Sequence, residues 1–403
     1  MRAAALALLA ACGPAAARDP CASDLTKGPW VQAVDATHAT LKWESLSKAC
    51  VEAAVAPEGG AEAIAAGTST ETHVVSTWSG MGVVQDDAPG TYYRNEIALS
   101  GLAPGQCFGY RVRASGTAQT AAGDERGRFC TARPSGASFG FLAIGDTNPM
   151  LGHTGPVLDH ALPAKPDFVL HLGDMQYYSS ITETWAWWFA VMRPMLRAGA
   201  LFPAVGNHEN ENNGLEYDDY YGRLFAPAGT DPSLTKWYSL EDGGVAFFSL
   251  DTEEPLASDS PQTQWLGKAL ADAKAAPGFR FSIAFMHRPL YTLGDAAPLL
   301  AERAVLAPLF EANGVKLVLA GHMHGYERFE APDGITFVTC AGGGGIIKDP
   351  SANVDNYPAD KPLRVTVSNH YSACNYVVAP GTIASQVVDE AGAIVDSFTK
   401  TVP

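Results

Sequence analysis

The chain has 403 residues, 47% hydrophobic and 17% charged, a composition that excludes a disordered or fibrous protein and is long enough for two domains with sizeable cores. Its formal net charge of -16 argues against a nucleic-acid backbone or an anionic membrane surface as the main partner, because the long-range field repels both. Any phosphate it binds must be drawn in by local positive charge, such as metal.

Residues 1–23 read as a signal segment and short tether. Met1-Arg2 supplies one positive charge and Ala3 to Ala11 a short apolar run, and no later stretch is long and apolar enough to span a membrane. The expectation is an exported protein, secreted, periplasmic or lipid-anchored. Leu9-Ala10-Ala11-Cys12 resembles a lipoprotein cleavage box that would leave Cys12 lipidated, while Ala15-Ala16-Ala17 offers an ordinary cleavage site. The other six cysteines, Cys21, Cys50, Cys107, Cys130, Cys340 and Cys374, have no metal-ligand spacing and read as disulfides, with free buried thiols as the alternative. Their pairing stays open, though Cys107 and Cys130 bracket a hairpin pattern and Cys340 and Cys374 both lie in the C-terminal part.

Residues 24–133 read as all-β. Trp30 to Val34, Ala39 to Trp43, Val51 to Val55, Tyr93 to Ile97 and Phe108 to Arg113 alternate or are β-rich, with Gly, Pro and Asp between them. Short strands at this spacing predict a sandwich. Leu99 to Gly105 followed by Phe108 to Val112 resembles a fibronectin type III corner and strand, and His38 and His73 read as exposed residues without chemistry.

Arg133-Pro134-Ser135-Gly136-Ala137 reads as a linker, and residues 137–400 change to apolar strands alternating with helices. Strands are predicted at Phe139 to Ile144, Phe168 to Leu172, Leu201 to Val205, Val245 to Leu250, Phe281 to Met286 and Lys316 to Ala320. Helices are predicted at Thr182 to Arg197, Gln262 to Ala275 and Pro298 to Asn313, giving an α/β layered domain. Trp185, Trp187 and Trp188 read as packing, and His160 and His171 as structural. Leu363 to Thr399 reads as a β extension with a turn at Asp389 to Gly392, and His370 as a strand residue. Gly342 to Gly345 follows a strand but lacks the Lys and helix of a phosphate-cradling loop.

Five clusters sit at or near strand ends: Gly145-Asp146, Gly173-Asp174-Met175-Gln176-Tyr177, Gly206-Asn207-His208-Glu209, Met286-His287-Arg288 and Gly321-His322-Met323-His324. Gly173 to Tyr177 alone is commoner as a strand-to-loop turn; the case rests on all five recurring in order. Open α/β sheets place ligands outside the carboxyl ends of strands, and Asp174 there can give one oxygen to each of two ions. Asp, Asn, His and Tyr form a mixed oxygen and nitrogen set suited to iron, zinc or manganese rather than calcium. If Asp146, Asp174, a Tyr177 phenolate and a hydroxide carry one negative charge each, a trivalent and divalent pair stays net positive and attracts phosphate.

These blocks resemble the purple acid phosphatases of the calcineurin-like metallophosphoesterase superfamily, whose order is GDxG, GDxxY, GNH[DE], VxxH and GHxH. Here they read Gly145 to Asn148, Gly173 to Tyr177, Gly206 to Glu209, Ala284 to His287 and Gly321 to His324. The resemblance covers most of residues 24–400. It implies a metallophosphoesterase layered α/β sandwich behind a fibronectin III-like sandwich. It further implies that Asp146, Tyr177 and His324 hold one ion, typically Fe(III), that Asn207, His287 and His322 hold a second, typically Zn(II), Mn(II) or Fe(II), and that Asp174 bridges them. His208 matches the histidine that contacts phosphate and protonates the leaving oxygen. Tyr177 has Tyr178 as a neighbour with which it could be confused, and Glu209 receives no role.

The chain departs from the pattern at Asn148 for Gly, at Ala284 for Val, and in the loop Arg288 to Asp295, where no second substrate-facing histidine stands. That puts the leaving-group acid, the pH optimum and monoester preference in doubt. Arg288 has two readings, a phosphate contact or an ion-paired surface arginine. The expected function is a dinuclear acid phosphatase hydrolysing small phosphomonoesters by attack of a metal-bound hydroxide. The alternatives are a phosphodiesterase or nucleotide hydrolase on the same ions, and a surface binding protein with a vestigial site.

Overall fold

A computed structural model of the chain describes residues 18–48, 50–74, 90–117, 120–177, 182–210, 221–225 and 236–403. Cys12 and Tyr178 lie outside the described residues.

The N-terminal part is built from β1 (Ala22–Ser23), β2 (Leu25–Gln32), β3 (His38–Ser45), β4 (Glu52–Pro57), β5 (Ala63–Ala66), β6 (Thr68–Val74), β7 (Gly90–Ser100), β8 (Cys107–Ala114) and β9 (Gly123–Cys130). One sheet runs β2-β3-β7-β6 and the other β1-β8-β4-β5, with β9 also paired to β8. The alternating residues Leu41, Trp43, Ile97, Val112 and Phe129 meet between them. Strands β5, β6 and β9 were not predicted. β9 has the sequence GDERGRFC, poor in β-formers, and is a strand because all eight residues pair with β8.

The rest comprises β10 (Phe139–Ile144), α1 (Thr154–Ala161), β11 (Phe168–His171), α2 (Thr182–Ala198), β12 (Ala200–Pro203), α3 (Gly222–Phe225), β13 (Tyr238–Asp242), β14 (Val245–Ser249) and α4 (Pro261–Ala275). These are followed by β15 (Phe281–Phe285), α5 (Leu300–Ala312), β16 (Val315–Ala320), β17 (Tyr326–Glu330), β18 (Thr336–Cys340), β19 (Arg364–Ser368), β20 (Ser372–Ala379), β21 (Thr382–Asp389) and β22 (Ile394–Thr401). Two sheets result, β12-β11-β10-β20-β21-β22 and β13-β14-β15-β16-β18-β17-β19. The C-terminal extension divides between them, β19 joining the second sheet and β20 to β22 the first.

Because strand side chains alternate, β10 sends Phe139, Phe141 and Ala143 into the space between the sheets and Leu142 and Ile144 towards α1 and α2. Between the sheets Phe141 stacks on Phe168 at 5.5 Å and Tyr376 at 4.8 Å and meets the edge of Phe247 at 5.6 Å. Truncating so enclosed a ring costs about 3–5 kcal/mol. Helices α4 and α5 cover the outer face of the second sheet through Leu266, Leu270, Leu306 and Phe310, completing an α-β-β-α sandwich. The Oγ of Ser260 accepts the Thr263 N–H and starts α4.

Trp185 and Trp188 are fully buried, as predicted, whereas Trp187 is 38% exposed. The Trp30 ring lies 4.9 Å from Phe189 and Glu44 pairs with Arg223 at 3.2 Å, so the N-terminal sandwich packs on α2 and α3. Arg133 pairs with Asp167 and Asp242, each at 2.6 Å, which anchors the linker to both sheets. Disulfides join Cys21 to Cys50, Cys107 to Cys130 and Cys340 to Cys374. The second joins directly opposed positions of β8 and β9, and the third links β18 of one sheet to β20 of the other. No helix among the described residues is long and apolar enough to cross a membrane.

Candidate metal centre

Asp146, Asp174 and Asn207 follow the C-terminal ends of β10, β11 and β12 in one sheet, and His287, His322 and His324 follow β15 and β16 in the other. Parallel strands end on the same side, so both sheets deliver polar side chains to one spot. Asp146, Asp174 and His322 all have positive φ, at 58°, 50° and 70°. Non-glycine residues hold this conformation only where their surroundings over-determine it, which is common at functional sites.

The ligating atoms of Asp174, His287 and His322 lie within 4.8 Å of one another, as do those of Asp146, Asp174 and His324. Asp174 belongs to both groups. Asn207 Oδ1 lies 3.1 Å from His287 Nε2 and so adds to the first group. The Tyr177 hydroxyl lies 3.1 Å from His324 Nε2 and 3.3 Å from Asp146 Oδ1 and so adds to the second. His208 stands beside them, its ring 4.4 Å from that of Tyr177 and its Nε2 3.8 Å from Asp174 Oδ2. All eight residues singled out by the sequence thus come together.

The donor set fits a pair of cations. His287 Nδ1 donates to the Leu172 carbonyl at 2.9 Å and His324 Nδ1 to the Ile346 carbonyl at 2.7 Å, which turns both Nε2 atoms inward. Asp174 and His287 are buried, and the site's electrostatics favour positive charge there. Burial opposes charge on His287, yet the Asp174 and Asp146 carboxylates outweigh it and raise its pKa to about 10. Burial works against the Asp174 carboxylate too, and His287 and His208 overcome it to hold the pKa well below the usual carboxylate range. His322 is pushed down to about 2 by burial and the nearby His287 and Arg288 cations, so it is a neutral imidazole with a lone pair to give.

Two features escaped the sequence reading. Glu209 is fully buried and accepts the main-chain N–H groups of Asp174, Met175 and Gly206, each at 2.8 Å. The glycine run after β18 packs onto the site, where a Cβ on Gly345 would lie 2.8 Å from the Tyr177 hydroxyl. His171 is buried beside it with Nε2 3.0 Å from the Thr147 hydroxyl, a supporting role in keeping with its structural reading. The signal for Glu209 was its place in the third block; the glycine run had only its composition.

The sequence model of the calcineurin-like phosphoesterases matches residues 139–326. Phosphoenolpyruvate phosphatase of Allium cepa is 30% identical over 235 residues, covering 54% of this chain and 47% of that one. Purple acid phosphatase 23 of Arabidopsis thaliana is 27% identical over 243 residues, covering 51% and 52%. The chain therefore spans about half the length of these curated relatives. The structure of purple acid phosphatase PPD1 from yellow lupin (Lupinus luteus) seeds superposes with a TM-score of 0.72 at 17% identity, over 93% of this chain and 74% of that one, and shares its fold. The five motif blocks, the domain matched over residues 139–326 and this architecture agree: the chain carries a calcineurin-like phosphoesterase domain and is similar to the purple acid phosphatases.

Proposed function

We propose that the chain is an exported dinuclear metal-dependent acid phosphatase acting on small phosphomonoesters. The observation that carries this is the membership of Asp174 in both donor groups. In this reading Asp146, Tyr177 and His324 hold one ion, typically Fe(III), and Asn207, His287 and His322 the other, typically Zn(II), Mn(II) or Fe(II), with Asp174 shared. When bound, such a pair polarises a phosphoryl oxygen and lowers the pKa of water from 15.7 towards about 7.

The chain's own residues supply the rest. Glu209 fixes the backbone that carries Asp174, and the Leu172 and Ile346 carbonyls fix the orientation of His287 and His324. His208, half-buried at the edge of both groups, is placed to hydrogen-bond a phosphoryl oxygen and pass a proton to the departing alkoxide or phenoxide. The three disulfides support export, since such bonds persist in oxidising compartments.

Hydrolysis of an aryl phosphomonoester against the matching diester, from pH 4 to 9 on protein of known metal content, tests the reading. Monoester preference at acid pH is expected. The loop after His287 favours a second reading, because it offers Arg288 and no histidine. Diester preference or a neutral-to-alkaline optimum would establish that alternative, and no turnover by fully metallated protein would point to a binding role.

A further inference from the structure

We propose that Arg288 anchors the substrate's phosphoryl group, with Glu253 as the positioning residue that aims it; the inference rests on the dinuclear reading above.

Arg288 follows His287 at the end of β15, and its main-chain N–H donates to the Thr252 hydroxyl at 3.0 Å. The Glu253 carboxylate takes two of its side-chain donors, Nε at 2.6 Å and Nη2 at 3.2 Å. Such a fork-to-fork pair fixes the plane of the guanidinium and decides where the remaining nitrogen points. That nitrogen, Nη1, donates to His322 Nε2 at 3.0 Å.

This last bond conflicts with metal binding. The other ring nitrogen, His322 Nδ1, lies 3.2 Å from His287 Nε2, on the side of the Asp174 group. A neutral imidazole has one lone pair in the ring plane and one N–H. If Nδ1 gives its lone pair to an ion, Nε2 carries the proton and has nothing to offer Arg288. The guanidinium is always charged and has no acceptor, so it cannot adapt by changing its own protonation. Loading the site therefore strips Nη1 of its acceptor while Glu253 keeps the group in place. A phosphoryl oxygen entering beside His322 is an anionic acceptor of the required kind.

Lys348, the other cation against His322, differs. Its Nζ donates to the His322 main-chain carbonyl at 3.2 Å, an acceptor that no change in the ring alters. Arg288 alone of the two has a bond that metal loading removes. In a chain of net charge -16, one aimed guanidinium at the site is also a local attraction that the molecule as a whole lacks.

The test uses the full-length metal-loaded protein as wild type, Arg288→Ala, Arg288→Lys and Glu253→Gln. Metal content is measured on each, inorganic phosphate is titrated by calorimetry, and KM and kcat are measured for an aryl phosphate. All four are expected to hold two ions. Arg288→Ala should weaken phosphate binding about tenfold or more, as loss of a charge-assisted hydrogen bond implies, with KM rising more than kcat falls. Arg288→Lys should recover little, because a lysine cannot keep the Glu253 fork and point at the site together. Glu253→Gln should weaken phosphate binding by a smaller factor with Arg288 still present. Phosphate binding by fully loaded Arg288→Ala equal to that of wild type overturns the proposal, and so does loss of an ion from that variant, which would make Arg288 a support for His322. Wild-type protein that takes up no ion pair overturns the dinuclear reading, and this inference with it.

Discussion

Glu209 Oε2 accepts the main-chain N–H of Asp174 at 2.8 Å while also accepting that of Gly206 at 2.8 Å, so one carboxylate ties the loop after β11 to the loop after β12. Its Oε1 accepts the Met175 N–H. Asp174 sits at a φ of 50°, and this clamp is what holds it there. Glu209→Ala leaves three buried donors unsatisfied and should destabilise the fold by about 3 kcal/mol or more, with weakened metal retention. Glu209→Gln keeps the shape and one oxygen and should lose about half as much. Denaturant midpoints measure both, and a Glu209→Ala protein as stable as wild type would show that the clamp is not needed.

Gly345 lies against the half of the centre that holds Tyr177 and His324. A Cβ there would come within 2.8 Å of the Tyr177 hydroxyl and 2.9 Å of His324 Cε1. Gly345→Ala should displace these two side chains and lower occupancy of the Asp146 group while sparing the His287 group. Metal analysis should give about one ion per chain instead of two. If iron occupies the affected position, the tyrosinate-to-iron absorption should fade with it, as it should in Tyr177→Phe. Two ions and an unchanged spectrum would remove Gly345 and Tyr177 from this account.

Asp251, which accepts the Glu253 N–H, predicts a pH dependence of stability. Burial raises its pKa to about 7 from an ordinary 3.8, against a hydrogen bond from the Glu253 N–H and attraction by Lys236. A carboxylate whose folded pKa lies above its unfolded one favours folding below the unfolded value, and that advantage is lost as pH rises through the folded value. The window here is about pH 4 to 7. Asp251→Asn, which keeps the acceptor for the Glu253 N–H, should be more stable than wild type at pH 8, by about 1 kcal/mol or more, and closer to it at pH 4. Thermal unfolding at matched metal content checks this, and a variant no more stable at pH 8 than at pH 4 relative to wild type would contradict it.

The sequence made the centre legible because each block couples a strand end to a residue type that little else requires. Asp146, Asp174, Asn207, His287, His322 and His324 could be placed with no knowledge of distances. Contacts across long separations could not be read. Nothing in the spacing of 35 residues between Arg288 and Glu253 signals a fork-to-fork pair, and Glu209 looks like any acidic turn residue until its three backbone partners are seen. Among the elements, α1 was missed because it is eight residues long and no side chain caps its start. β13 and β17 were missed because they are short and rich in charge, and their strand geometry comes from neighbours they pair with. Cys107 and Cys130 were nearly decidable from their hairpin, whereas the pairing of Cys340 with Cys374 depends on how two sheets pack.

The central claim is that Asp174 serves two ions at once, and metal stoichiometry of wild type beside Asp174→Ala tests it most directly. The account predicts about two ions per chain in wild type and loss of both, together with hydrolysis, in Asp174→Ala. An Asp174→Ala protein that is fully metallated and active would contradict it.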